Sequence, residues 1–147
     1  CPACATVEPH LQKLVAEHGN EVRIIFRNFP LPQHANGELM SRAAEAADKQ
    51  GKYWEMHDRI YQEQEAWAKA NNTQELALQY AHDLGLVVDK FKADLFDQGI
   101  ADRITKEKQA ASTLALQGTP SFFLNGQVLP NPNGYDELVK AVQAAGE

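Results

Sequence analysis

The chain has 147 residues, 44% of them apolar, which is enough for one globular domain with a sizeable core. The 14 basic and 20 acidic residues give a formal net charge of −6, and neither sign is gathered into a block. This distribution argues against a nucleic-acid partner or an anionic membrane surface. Because no apolar run approaches the ~18 residues that a membrane-spanning helix needs, we expect no stable membrane insertion.

The first predicted element is a helix whose N-terminal turn is the motif CPAC, residues 1–4. Apolar residues recur at helical spacing as far as His18, and Gly19 and Asn20 end the pattern. Residues 22–29 (VRIIFRNF) follow, rich in β-branched and aromatic side chains and closed by Pro30. That composition predicts a strand.

A helical middle comes next. Apolar spacing predicts helices over residues 39–47 and 53–61, a third after a capping box formed by Asn72 and Glu75, a short fourth capped by Asp89, and a fifth over residues 101–116. Residues 121–124 and 127–129 flank Asn125 and Gly126, which is a hairpin signal. A final amphipathic helix is predicted over residues 135–145.

Without the helical middle, the order of elements is helix, strand, hairpin, helix. A sheet built from one strand and a hairpin would need a further buried strand to position the start of the first helix. We therefore expect the natural protein to continue upstream of Cys1, with the first sheet strand lying in that upstream part.

Cys1 and Cys4 are the only cysteines, and their spacing at a helix start suits redox chemistry. Unpaired backbone N–H groups and the helix dipole favour a thiolate at the first position, so the pKa of Cys1 is expected below the ordinary ~8.5. Cys4, about one turn on, can resolve a mixed disulfide formed by Cys1. A zinc site, an inert disulfide and a lipid anchor on Cys1 are the competing interpretations.

Five stretches carry a family resemblance: CPAC followed by Pro9, RNFPLPQHANG, GKYWEMHDRIY, YAHDLGLVVDKF and GTPSFFLNGQVL. With them the chain resembles the DsbA-like thiol–disulfide oxidoreductases. The resemblance implies an α/β thioredoxin-like fold with an inserted all-helical domain. Residues 1–29 and 118–147 would then form the thioredoxin-like domain, and residues 30–117 the insertion.

The resemblance also implies roles for single residues. Cys1 and Cys4 match the redox pair, and Pro120 matches the cis-proline of the family. The backbone of Thr119 would then pair with an extended substrate peptide as an added strand. Glu8 lies one turn after Cys4 and could take the proton of that thiol, although a solvated helix glutamate is the competing interpretation.

The function implied is that of an oxidase that introduces disulfides into extended or unfolded polypeptides in an extracytoplasmic, oxidising compartment. A reductase or isomerase of the same fold is the alternative, followed by a non-catalytic lipid-anchored or metal-binding module. We expect a monomer that uses neither cofactor nor metal. Its partners would be cysteine-containing polypeptides and a redox protein that recycles the CPAC pair.

Overall fold

The computed structural model describes residues 1–146. In this range eight helices and one β-hairpin follow one another along the chain. The elements are α1 (Pro2–His18), α2 (Gly37–Asp48), α3 (Tyr53–Gln62), α4 (Gln64–Ala68), α5 (Thr73–Asp83), α6 (Val88–Asp94), α7 (Gln98–Thr113), β1 (Phe122–Leu124), β2 (Gln127–Leu129) and α8 (Tyr135–Ala145). None of the described helices is both long enough and apolar enough to cross a bilayer.

The chain divides into two compact units. One, here called the terminal unit, consists of Cys1–Phe26 and the segment that begins at Gln117. The other, the helical unit, is Arg27–Leu116. The chain thus passes into the helical unit three residues before the boundary expected at residue 29.

Within the terminal unit, α1 packs against α8, and Leu14 and Leu138 are buried. Strands β1 and β2 pair in antiparallel register, with Phe123 opposite Val128. Both turn residues have positive φ, 49° at Asn125 and 81° at Gly126. A tight two-residue hairpin turn requires that conformation at both positions, and Asn-Gly is the pair that adopts it most readily. The predicted hairpin and final helix are confirmed.

The strand predicted over residues 22–29 is wrong, because the structure assigns no strand there. Its side chains nevertheless alternate in exposure: Val22, Ile24 and Phe26 are partly buried, while Arg23 and Ile25 are exposed. The alternation predicts which side chains share a face, but a strand also needs a hydrogen-bonded neighbour. Among the described residues the sheet contains only β1 and β2.

The helical unit has its own apolar core. Helix α2 packs against α3, α5, α6 and α7. Small side chains on α2 make this possible, since Ala43, Ala46 and Ala47 are fully buried and let neighbouring helices approach closely. The largest fully buried side chains of the core are Phe91, Met40, Met56, Leu95 and Ile104.

All five predicted middle helices are present, but several ends differ. The sequence missed α4, a helix of five residues that is too short for a periodic pattern. Asn72 is the N-cap of α5 without a side-chain capping bond, so the capping box is wrong. The N-cap of α6 is Val87 rather than Asp89. Helix α7 begins earlier than predicted because the Asp97 carboxylate accepts a hydrogen bond from the Ile100 N–H.

Candidate active site

Cys1 occupies the N-cap of α1, and Pro2 follows in the first turn. Proline fits there because the first helical N–H groups have no partner within the helix. The Cys1 carbonyl accepts hydrogen bonds from the N–H groups of Cys4 (3.1 Å) and Ala5 (3.2 Å). This closed first turn places the two cysteines where the helix dipole favours a negative charge.

The Cys1 thiol points to the loop before β1. Its Sγ donates a hydrogen bond to the Thr119 carbonyl oxygen at 3.3 Å. The Thr119–Pro120 peptide bond is cis, as expected for a proline at this position in the family that the chain resembles. A hydrogen bond of 2.7 Å from the Ser121 hydroxyl to the Gly118 carbonyl closes the same loop. Residues 118 positions apart in sequence are thereby brought together around one sulfur atom.

Cys4 lies one turn after Cys1 and, like Cys1, is partly buried. Burial raises the pKa of the Cys4 thiol above its ordinary value. The Thr119 hydroxyl opposes this increase, whereas the negative charge of Glu8 adds to it. Cys4 therefore forms a thiolate less readily than an ordinary cysteine does, which suits a resolving thiol that reacts second.

The Thr119 hydroxyl is a feature that sequence reasoning missed. Its oxygen is buried and has no hydrogen-bond partner within bonding distance among residues 1–146. It is therefore a polar neighbour of Cys4 rather than an established hydrogen-bond donor to that sulfur. Sequence reasoning had given Thr119 a role through its backbone alone. The only available signal was a hydroxyl side chain directly before Pro120.

Glu8 follows Cys4 by one helical turn and is only 7% exposed. The interpretation of Glu8 as a solvated helix glutamate is therefore wrong. Its carboxylate is close enough to raise the pKa of Cys4. Pro9 lies next to it inside α1, at the position expected from the resemblance. The structure thus places Cys1, Cys4, Glu8, Thr119 and Pro120 in one unit.

A family model described as thioredoxin matches residues 1–144. The chain belongs to the thioredoxin family. It is similar to the Na(+)/H(+) antiporter NhaA 3 of Salinispora tropica, with 36% identity over 146 residues, covering 99% of this chain and 22% of that protein. It is also similar to a probable disulfide bond formation protein D of Bacillus cereus, with 34% identity over 150 residues, covering 97% of this chain and 68% of that protein.

Two solved structures share the fold. The thioredoxin-like oxidoreductase from Silicibacter pomeroyi superimposes with a TM-score of 0.81 at 26% identity, covering 99% of this chain and 80% of that chain. Oxidoreductase DsbA from Xylella fastidiosa gives 0.72 at 19% identity, covering 99% and 78%. The predicted thioredoxin-like fold is confirmed. Within that family the chain is similar to proteins named as an oxidoreductase and as a probable disulfide bond formation protein.

The relatives differ greatly in length. The chain spans about a fifth of the antiporters that it matches and about two thirds of the Bacillus protein. The thioredoxin-family module therefore occurs both in proteins of moderate size and as a small part of much longer ones.

Proposed function

We propose that the chain works as an oxidase that transfers a disulfide to cysteines of extended or unfolded polypeptides. A substrate thiolate attacks Sγ of Cys1 in the Cys1–Cys4 disulfide, and the electron pair of the broken S–S bond leaves on Cys4. A second substrate thiolate then attacks the substrate sulfur of the mixed disulfide and releases Cys1. The substrate loses two electrons and the CPAC pair gains them.

The observation that carries the proposal is the contact between Cys1 Sγ and the Thr119 carbonyl at the start of α1. It sets the reactive sulfur beside a backbone segment that precedes β1. An extended peptide that pairs with the backbone of Thr119 beside Pro120 would bring its own cysteine to Cys1. Because such pairing uses only the main chain of the peptide, polypeptides of many different sequences could serve as substrates.

Glu8 has a part in the proton balance of this cycle. When Cys4 leaves as a thiolate, its partly buried sulfur takes up a proton readily because burial raises its pKa. In the reverse direction, when the Cys4 thiol attacks the mixed disulfide, the Glu8 carboxylate would accept the proton that Cys4 releases. The charge of Glu8 acts on Cys4, which supports such an exchange.

The proposal extends to partners and place. A redox protein must remove the two electrons from the reduced CPAC pair after each cycle. An oxidising, extracytoplasmic compartment suits an oxidase, and the match to a probable disulfide bond formation protein agrees with this setting. We propose a monomer in which residues 30–117 form an inserted helical domain.

The test is to trap the mixed disulfide. Cys4→Ala removes the resolving thiol, so the variant incubated with a reduced, unfolded polypeptide and a small-molecule disulfide should accumulate long-lived adducts through Cys1. The matched control Cys1→Ala keeps one cysteine on the same helix and should accumulate none. Equal trapping by the two variants, or trapping by neither, would contradict the assignment of Cys1 as nucleophile.

The direction of transfer needs a second measurement. Equilibration of the Cys1–Cys4 pair with glutathione gives its reduction potential, for which DsbA (about −120 mV) and thioredoxin (about −270 mV) set the scale. A value near the oxidising end supports disulfide donation. A value near the reducing end with rapid exchange would replace the oxidase by the alternative, a reductase or isomerase with the same two cysteines.

A further inference from the structure

A buried carboxylate and a partly buried one meet inside the helical unit, apart from the redox pair. The Glu45 side chain on α2 is 3% exposed, and that of Glu107 on α7 is 9% exposed. The Asn28 amide nitrogen donates to both, at 2.7 Å to Glu45 Oε1 and 3.0 Å to Glu107 Oε2. The Asn28 backbone N–H also donates to Glu107 Oε2, at 2.6 Å. One asparagine, itself buried, is thus held by two acidic side chains.

The positive charges near this pair come from two arginines. Arg103 Nη1 lies 2.8 Å from Glu45 Oε2, and Arg103 Nε lies 3.6 Å from Glu107 Oε1. Arg27 Nη1 donates to Glu107 Oε1 at 3.3 Å. The carboxylates are inside while Arg103 is half exposed and Arg27 mostly exposed. Solvent screens both guanidinium groups, so they offset the burial of two negative charges only in part.

Arg27 and Asn28 are the first residues of the helical unit, where the chain crosses into it from Phe26. Their hydrogen bonds fasten this crossover segment to α2 and α7 at the same time. Uncharged backbone carbonyls could equally have accepted the hydrogen bonds of the buried Asn28 amide.

We propose that Glu45 and Glu107 form a pH-sensitive clamp on the crossover segment, tight when the pair holds one proton and loosened when both carboxylates are ionised. With one proton present, a single negative charge is shared among Asn28, Arg103 and Arg27. With none, two negative charges converge on the same Asn28 amide in a poorly hydrated site.

The surroundings of Glu45 support the direction of this response. Burial raises the pKa of Glu45, and the negative charges of Glu107 and Asp48 add to the increase. The Asn28 hydrogen bond and the Arg103 charge oppose it without cancelling it. The same charges act on Tyr53 at the start of α3. Burial raises the pKa of Tyr53, and the negative charges of Glu45 and Glu107 raise it further. Burial, the largest of these effects, therefore favours the protonated form of the Glu45 carboxyl.

The sign of the effect on stability follows from linkage. A glutamate whose pKa is raised by folding stabilises the folded form most fully below its unfolded value of about 4.3. That contribution is lost as the pH rises through the folded pKa. The clamp is thus an acid-favoured device: the helical unit holds the crossover segment more firmly below the folded pKa of Glu45 than above it.

The test compares urea unfolding of the full chain and its Glu45→Gln variant from about pH 5 to about pH 8. Tryptophan fluorescence reports the helical unit because both tryptophans, Trp54 and Trp67, lie in it. Glutamine keeps the shape of the side chain without an ionisable proton. The unfolding midpoint of the native chain should fall relative to that of Glu45→Gln as the pH rises. A constant difference across this range would overturn the proposal.

Glu38→Gln is the matched control on the same helix. Hydrogen bonds from Arg42 and Lys108 outweigh the opposing effect of burial and hold the pKa of Glu38 below its ordinary value. Glu38 is therefore ionised throughout this pH range, and its variant should differ from the native chain by a constant amount. A pH-dependent difference as large as that of Glu45→Gln would show a general charge effect and overturn the clamp.

A second measurement needs no variant. In the native chain, carbon NMR follows the carboxyl carbons of Glu45 and Glu107 while nitrogen NMR follows the Asn28 side-chain amide. The Glu45 carboxyl should titrate above its ordinary range, and the Asn28 amide resonances should move with the same midpoint. An Asn28 amide that does not respond at the Glu45 midpoint would refute the clamp even if Glu45→Gln failed to fold.

Discussion

The two units of the molecule differ in what they bury. In the helical unit a continuous apolar cluster runs from Met40 to Ile104. In the described part of the terminal unit, Leu14 and Leu138 are the buried apolar side chains. That unit also exposes Phe123 and Val128, which lie opposite each other in the hairpin. The unit that carries the redox pair is therefore the one with the smaller apolar core.

This difference separates two requirements. Apolar burial supplies most of the free energy of folding, so the helical unit contributes the larger share of it. The chemistry depends on a few polar contacts around Cys1 and Cys4, which a large core would not improve. We expect substitutions in the helical unit to change stability first, and substitutions in the terminal unit to change reactivity first.

The largest effect on stability is expected from Phe91→Ala on α6. Phe91 is fully buried in the helical core, and removing such a side chain costs about 3–5 kcal/mol of unfolding free energy through lost burial and the cavity left behind. Tryptophan fluorescence during urea unfolding measures the change. Phe96→Ala is the control, because Phe96 is 60% exposed and its loss should cost less than about 0.5 kcal/mol. Similar losses in the two variants would contradict a stability centred on this core.

A smaller effect, on reactivity rather than stability, is expected from Thr119→Val. The change keeps the shape of the side chain but removes the buried hydroxyl that lowers the pKa of Cys4. The pKa of Cys4 should rise further, so the pH dependence of mixed-disulfide resolution should move to higher pH. At neutral pH the resolution rate should fall, because a smaller fraction of Cys4 is then ionised. Stopped-flow measurement of thiol release gives this rate.

Thr6→Val provides the matched control for Thr119→Val. Thr6 also belongs to the terminal unit, but its hydroxyl is exposed and donates to the Pro2 carbonyl at 3.2 Å. The same chemical change there should leave the resolution rate and its pH dependence unaltered. If Thr6→Val slowed resolution as much as Thr119→Val, the loss would reflect general disturbance of α1 rather than the hydroxyl beside Cys4.

Local sequence patterns predicted the elements that local physics determines. Asn125 and Gly126 fixed the hairpin because few other pairs adopt positive φ twice, and apolar spacing located the longer helices. The prediction of a strand over residues 22–29 failed because the sequence of a segment does not show whether a neighbouring strand will pair with it. Asn72 is the N-cap of α5 as predicted, but its side chain makes no capping bond, and α6 is capped by Val87 rather than by Asp89.

The candidate site shows the same division. Cys1, Cys4 and Thr119 were found from their spacing and from a family resemblance, and the structure brings them together. The burial of Glu8 was not predicted, because a glutamate on a helix is most often solvated. Glu45 and Glu107 were missed for the same reason. The helical pattern around a glutamate does not indicate that an asparagine from a distant segment will donate a hydrogen bond to its carboxylate.

The smallest effect on stability is expected from a change in the contact between α1 and α8. This change tests the comparison of the two units from within the terminal unit. The Tyr135 hydroxyl donates a hydrogen bond to Glu17, and the Lys13 ammonium lies 4.0 Å from the centre of the Tyr135 ring. The Glu17 carboxylate raises the pKa of Tyr135 to about 12, so the hydroxyl stays protonated at neutral pH. Tyr135→Phe keeps the ring over Lys13 and removes only the hydrogen bond.

Because this contact is exposed, its loss should leave the tryptophan-detected unfolding midpoint of the helical unit unchanged and should slightly increase amide hydrogen exchange in α8. The Glu17→Gln variant, which keeps an acceptor for the hydroxyl but removes the charge, should increase exchange less than Tyr135→Phe. A lowered tryptophan-detected midpoint in Tyr135→Phe would mean that the stability of the helical unit depends on the α1–α8 contact. The separation of stability and chemistry between the two units would then fail.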